Sequence, residues 1–202
     1  MGGIHDQAHD HAALGRTALA TIVVALLVMG LKYLAYFKTG SAALYSDALE
    51  SIVNVVTAVA ALIAIRVSGL PPDHNHPFGH HKAEFFSAVL EGALIVLAAV
   101  LIFQEAYEAW RNPRTLTEPV QGLAINGLAA VINAGWAGYL IARGRQWKSP
   151  ALSAGGWHIL TDVFTSVGVL AGLLLAIWTG IGVLDPLLAA LVGVNILWAG
   201  YH

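Results

Sequence analysis

The sequence predicts an all-α fold, a six-helix transmembrane bundle with both termini cytoplasmic. Three observations carry that expectation. First, 57% of the 202 residues are hydrophobic and 11% are charged, whereas a soluble domain needs roughly a quarter of its residues charged. Hydrocarbon must therefore replace water around most of the chain. Second, six apolar segments, at about 17–37, 41–65, 84–109, 119–142, 151–178 and 183–200, reach the roughly 20 residues a membrane-crossing helix needs. Third, these runs are too long and continuous for the ten-residue alternating strands of a membrane barrel.

Taken in order, the elements begin with a short polar stretch. His5, Asp6, His9, Asp10 and His11 stand where a cleavable leader would carry basic residues, and the apolar run that follows is long enough to stay in the bilayer. Residues 1–16 are expected as a solvated cytoplasmic tail, a weak metal-collecting role being the alternative. The six spans of 17–202 are separated by Lys38-Thr39-Gly40, the stretch Arg66 to Lys82, Arg111 to Glu118, Arg143 to Pro150, and Thr179 to Gly182. Connections this short leave one bundle and no second domain.

Orientation follows from basic residues. With the N-terminus inside, Arg16, Arg66, Lys82, Arg143, Arg145 and Lys148 face the cytoplasm, against Lys38, Arg111 and Arg114 on the other side. Tyr36, Trp110, Trp147, Trp178 and Trp198 near span ends fit interfacial belts, and the many glycines and alanines permit close helix contacts. The chain has no cysteine, which removes disulfides, thiolate metal sites and cysteine nucleophiles. A net charge of −2 suggests no nucleic-acid partner.

Against this background a few polar residues stand out. Span two carries Asp47, Glu50 and Asn54, and span five carries His158 and Asp162. An ionisable group at mid-membrane costs about 2.5–3.5 kcal/mol on insertion scales, so three carboxylates together would cost on the order of 8–10 kcal/mol without a partner, a cavity or an ion. Glu50 and Asn54 are four apart, as are His158 and Asp162, so each pair stands on one helix face. Two such pairs can close four N/O ligands around one cation. Tetrahedral imidazole and carboxylate ligation suits Zn²⁺ first, with Fe²⁺, Mn²⁺, Co²⁺ and Ni²⁺ as competitors. The bland alternative is an ion-free hydrogen-bond network between two helices. Asp47, one turn before Glu50, is a possible further ligand, an acceptor that orients a ligand, or a proton acceptor; Ser51 is placed to assist it. Glu91 in span three has no evident partner and no assigned role. The loop after span two offers Asp73, His76 and His80 as a possible second metal site at the membrane surface, or as polar filler in a stiff Pro- and Gly-rich turn.

Together these residues resemble the cation diffusion facilitator family of divalent-metal/proton antiporters. Thr39-Gly40-Ser41 followed by Ser46-Asp47-Ala48-Leu49-Glu50-Ser51 is similar to the family's entry into its second helix, and places Glu50 and Asn54 on its first two transport positions. His158 and Asp162 match the pair in helix five, Phe78-Gly79-His80-His81-Lys82-Ala83-Glu84 matches the end of the loop, and Asp185-Pro186 fits the start of helix six. The resemblance implies a transporter that exports a divalent cation, Zn²⁺ foremost, in exchange for protons. It also implies a homodimer in the lipid bilayer, the cytoplasmic (inner) membrane if the source is bacterial. It pairs helices three and six apart from a unit of helices one, two, four and five, and matches Asp73 and His80 to positions that bind an extra ion in some members. Glu50/Asn54 replaces the usual His/Asp or Asp/Asp, and an amide is a poorer Zn²⁺ ligand than a carboxylate. The family's soluble α/β domain after helix six falls beyond His202, as in a truncated chain or a short homologue. The rival readings are a metal-sensing membrane subunit that moves nothing and a membrane metalloenzyme with Glu50 or Asp47 as base. The second lacks any HExxH helix motif, so the chain is expected not to be an enzyme.

Overall fold

Six helices follow in chain order: α1 (Gly3–Thr39), α2 (Ala42–Ser68), α3 (Lys82–Arg111), α4 (Pro119–Gln146), α5 (Pro150–Thr179) and α6 (Leu184–Tyr201). The computed structural model describes the backbone of residues 3–68, 80, 82–113, 115–147 and 149–201. Side chains are described from Arg16 onward, apart from positions 18, 61, 65, 66, 68, 84, 151 and 201. No strand occurs among the described residues. Among the described residues, five helices are long and apolar enough to cross a membrane. The sixth, with 18 residues, is about 27 Å long, near the short end of what spans hydrocarbon. The expected spans fall on these helices, the second, fourth, fifth and sixth to within a residue at their starts, whereas α3 begins two residues early and α1 fourteen. Most helices run further at their ends, because a charged residue ends an apolar run without ending a backbone ladder. α1 shows this most: residues 3–16, expected as a tail, continue the first helix, since extending an existing helix costs far less than nucleating one.

Helix ends are set by local chemistry. Gly40 takes φ 68° after α1 and its N–H donates to the Tyr36 carbonyl at 2.8 Å, a left-handed stop that glycine adopts without a Cβ clash. One residue later the Ser41 hydroxyl accepts from the Leu44 N–H at 3.2 Å and starts α2 as an N-cap. α4 and α5 both begin on proline, at Pro119 and Pro150, where a missing N–H costs nothing. α5 ends on Gly180 at φ 69°.

One end of the bundle gathers the α1–α2 turn, the start of α4 and the start of α6. There the Thr117 N–H donates to the Thr39 carbonyl, Lys38 pairs with Glu118 at 3.0 Å, and Asp185 at the start of α6 receives the Ala42 and Ala43 N–H groups at 2.8 and 3.1 Å. Asp185 also accepts from the Ser41 hydroxyl, so a carboxylate from the last helix holds the positive end of the second.

The interior is built of small side chains. Ala35, Ala43, Ala48, Ala98, Ala99, Ala129 and Ala137 are all nearly inaccessible, while Trp178, Phe85, Val120 and Phe37 are among the most exposed. Lipid, as apolar as leucine, leaves close backbone approach as the main source of packing. Of the expected aromatic belt, Trp110, Trp178 and Trp198 point outward. Tyr36 instead packs on Tyr45, and Trp147 lies beneath the Arg143 guanidinium. α4 and α5 approach each other closely at Gly144. A Cβ added at Gly144 would stand 2.6 Å from the Ser153 backbone nitrogen and 3.0 Å from its Cα, so the backbones themselves would have to separate. Gly144→Ala is therefore expected to destabilise the bundle by about 1–3 kcal/mol. A detergent melting curve measures this, and a wild-type midpoint would rule the contact out.

Candidate functional site

Among the described residues, the ionisable side chains of α2 and α5 fall into two polar constellations within the spans. The first joins four helices. Asp47 on α2 is fully buried; its Oδ1 accepts from Lys32 Nζ of α1 at 2.7 Å and from the Ser166 hydroxyl of α5 at 2.9 Å. Its Oδ2 accepts from the Asn126 amide of α4 at 3.0 Å. Of the roles open to Asp47, the geometry shows a carboxylate held by this chain's own donors on both oxygens. Ser51, placed to assist it, donates its hydroxyl to the Asp47 backbone carbonyl instead. A buried pair adds little net stability, but it leaves either partner costly to remove. Because Glu50 follows Asp47 by less than one turn, this anchor also fixes the rotation of α2 that points Glu50 where it points.

Lys32 was not expected at a site, although the rule that isolates Asp47, an ionisable side chain inside an apolar run, applies to it equally. Asn126 and Ser166 carry no such signal, since neutral polar side chains occur in spans without a charge to satisfy.

The second constellation is a cavity of about 510 Å³ between the α2/α5 and α3/α6 pairs, whose walls include Glu50, Asn54, His158 and Asp162. The polar faces of α2 and α5 meet where the Asn54 amide donates to Asp162 Oδ2 at 2.8 Å. Glu50 is 7% exposed and Asp162 9%, while His158 is open to the cavity side. Asn54, His158 and Asp162 also line a smaller recess of about 150 Å³ toward α1 and α4, floored by Asn133 and Trp136. They form a partition between two spaces. Glu50 Oε2 is buried and has no hydrogen-bond partner, a costly arrangement for an ionised oxygen unless a cation or proton satisfies it. Among the described residues, no three His, Asp, Glu or Cys side chains stand close enough to share one ion. Glu50, His158 and Asp162 thus share a cavity without converging in this conformation.

Asp73 and His76 of the loop lie outside the described residues. His80 is half-buried just before α3, its carbonyl accepting from the Ala83 N–H. The His and Asp side chains of residues 5–11 also lie outside the described set. Glu91 lines the same cavity as the two helical pairs.

Several long apolar helices, with ionisable groups turned inward onto a partnered core and a cavity, define a multi-pass membrane protein. The chain belongs to the cation efflux, or cation diffusion facilitator, family: residues 18–202 match the model of the cation efflux transmembrane domain. It is 46% identical to an uncharacterized transporter of Synechocystis over 92% of this chain and 60% of that one. It is 33% identical to the zinc transporter ZitB of Escherichia coli over 82% and 52%. It is 29% identical to a cadmium, cobalt and zinc/H(+)-K(+) antiporter of Bacillus subtilis over 96% and 62%. The chain thus spans about three fifths of the length of its first relatives.

Proposed function

We propose that this chain is the membrane-embedded transport unit of a divalent-cation exporter in the cytoplasmic (inner) membrane, with Glu50, Asn54, His158 and Asp162 as its transport site. The observation that carries the reading is the cavity those four side chains share across α2 and α5. Zn²⁺ is the favoured substrate on ligand chemistry, and two relatives are named for zinc. Fe²⁺, Mn²⁺, Co²⁺ and Ni²⁺ are its competitors. Ion binding requires a local rearrangement. Asn54 now presents its N–H₂ to Asp162; turning the amide over offers its oxygen to a cation and frees the Asp162 carboxylate.

Proton exchange follows from the same groups. Imidazole and carboxylate bind a metal only when deprotonated, so metal loading releases protons and protonation releases metal. The Bacillus relative's name couples metal to protons, which supports extending that exchange to this chain. Rocking of α3 and α6 against the four helices joined at Asp47 would expose the site to the two faces in turn. The working unit in this reading is a homodimer, and the 73–81 loop is a further ion site.

Proteoliposomes test the proposal. Wild-type vesicles are expected to accumulate Zn²⁺ against its gradient when an opposing proton gradient is imposed; metal binding with no flux would overturn export. Asn54→Asp is expected to raise the preference for Zn²⁺ over Mn²⁺ about tenfold, because a charged oxygen replaces a neutral amide. An unchanged selectivity order in flux competition would remove position 54 from the ligand set.

A further inference from the structure

We propose that Glu91 is the entry carboxylate of the ion path, a cation-binding residue standing between the cavity mouth and the central site. The inference rests on the reading of this chain as a cation exporter and adds a residue to it. Glu91 lies on α3, the helix across the cavity from α5, with Ala88, Gly92 and Ile95 beside it on the cavity wall. Residues 88, 91, 92 and 95 are one helix face, and three of the four are small or lack a polar group, so the carboxylate is the single charged feature of that wall. It is exposed, and no hydrogen bond or ion pair holds it among the described residues.

The opposite wall supplies the second observation. Glu50, nine-tenths buried, presents an oxygen with no hydrogen-bond partner and lines the same space. Among the described residues lining the cavity there is no Lys or Arg, and the one lysine of the neighbouring core is already committed to Asp47. Glu50, Glu91 and Asp162 therefore line one space in which, among the described residues, His158 is the one basic side chain, and three carboxylates against one imidazole make a negative potential that favours a cation.

Depth sets the order of encounter. Ala199 and Gly200, at the final turn of α6, form part of the cavity wall. Glu91 is nine residues into α3 from Lys82, about 14 Å along that helix. Glu50 is 18 residues from the Ser68 end of α2, about 27 Å. Asn54 is 14 residues from the same end of α2 and Asp162 is 12 residues from the Pro150 start of α5, about 21 and 18 Å, so a cation entering at the α6 terminus passes Glu91 before it reaches Asp162, Asn54 and Glu50.

The test compares wild type, Glu91→Gln, Glu91→Asp and Asp162→Ala by Co²⁺ titration of the purified protein, read in visible absorption, and by Zn²⁺ flux in proteoliposomes. Glu91→Gln is expected to raise the KM for Zn²⁺ about tenfold with kcat within about twofold, the signature of a lost encounter contact rather than a lost central ligand. Raising the salt concentration should shrink that difference, because screening weakens a charge effect and leaves a packing defect alone. Glu91→Asp should recover most of the wild-type KM. If Glu91→Gln matches wild type while Asp162→Ala loses both Co²⁺ binding and flux, the entry role is overturned and the central site stands. If Co²⁺ binding is absent, or is indifferent to Asp162, the exporter reading falls and takes Glu91 with it.

Discussion

Asp162→Ala is expected to lower Zn²⁺ flux at least about 100-fold while leaving the helices assembled. Losing a residue that merely supports a metal ligand costs 10–100-fold in affinity or activity, and a ligand itself should cost no less. Folding should survive because the buried cluster of Lys32, Asp47, Asn126 and Ser166 makes no hydrogen bond to Asp162. The informative companion is Asp162→Asn. Its amide oxygen still accepts from Asn54, so the α2–α5 hydrogen bond is kept and only the charge is lost. Flux that fails in both variants assigns the role to ionised oxygen; wild-type flux in Asp162→Asn would reduce the residue to a helix tie. Monodispersity in detergent and helical circular dichroism check that each variant is folded.

The second large effect is on stability. Lys32→Met is expected to cost about 3–5 kcal/mol, the penalty for leaving one partner of a buried ion pair without the other. The two side chains are 1% and 0% exposed, so neither water nor lipid headgroups can substitute. Combining Lys32→Met with Asp47→Asn should recover most of the loss, because the amide keeps an acceptor for Ser166 or Asn126 and no charge is left stranded. A double-mutant cycle on unfolding free energy measures the coupling. Additive single effects, or a Lys32→Met protein that melts with wild type, would show that the pair does not hold the four helices together.

The helices were readable because span length and continuous apolarity are local properties, and the Gly40, Ser41, Pro119, Pro150 and Gly180 punctuation agrees with them. The two i, i+4 pairs were readable for the same reason: spacing alone puts Glu50 with Asn54 and His158 with Asp162. What spacing could not give is which groups meet across helices. Asn54 and Asp162 are 108 residues apart, and Asp47 finds Asn126 at a separation of 79 and Ser166 at 119. Asp47 and Glu50 are close neighbours with similar chemistry, yet one is saturated by donors and the other is left with a bare oxygen. That difference belongs to the packing of α1, α4 and α5 around one side of α2, and no pattern along α2 encodes it.

The carboxylate of Asp185 grips the first turn of α2 through two backbone donors and a hydroxyl, whereas the far end of α6 borders open space. The last helix is thus fastened like a door at its jamb. A swing of about 10° around that fastening carries Gly200 through about 4 Å, given a rise of 1.5 Å per residue, while Leu188 hardly travels. Whatever reshapes the mouth of the cavity can therefore leave the far side of the bundle sealed.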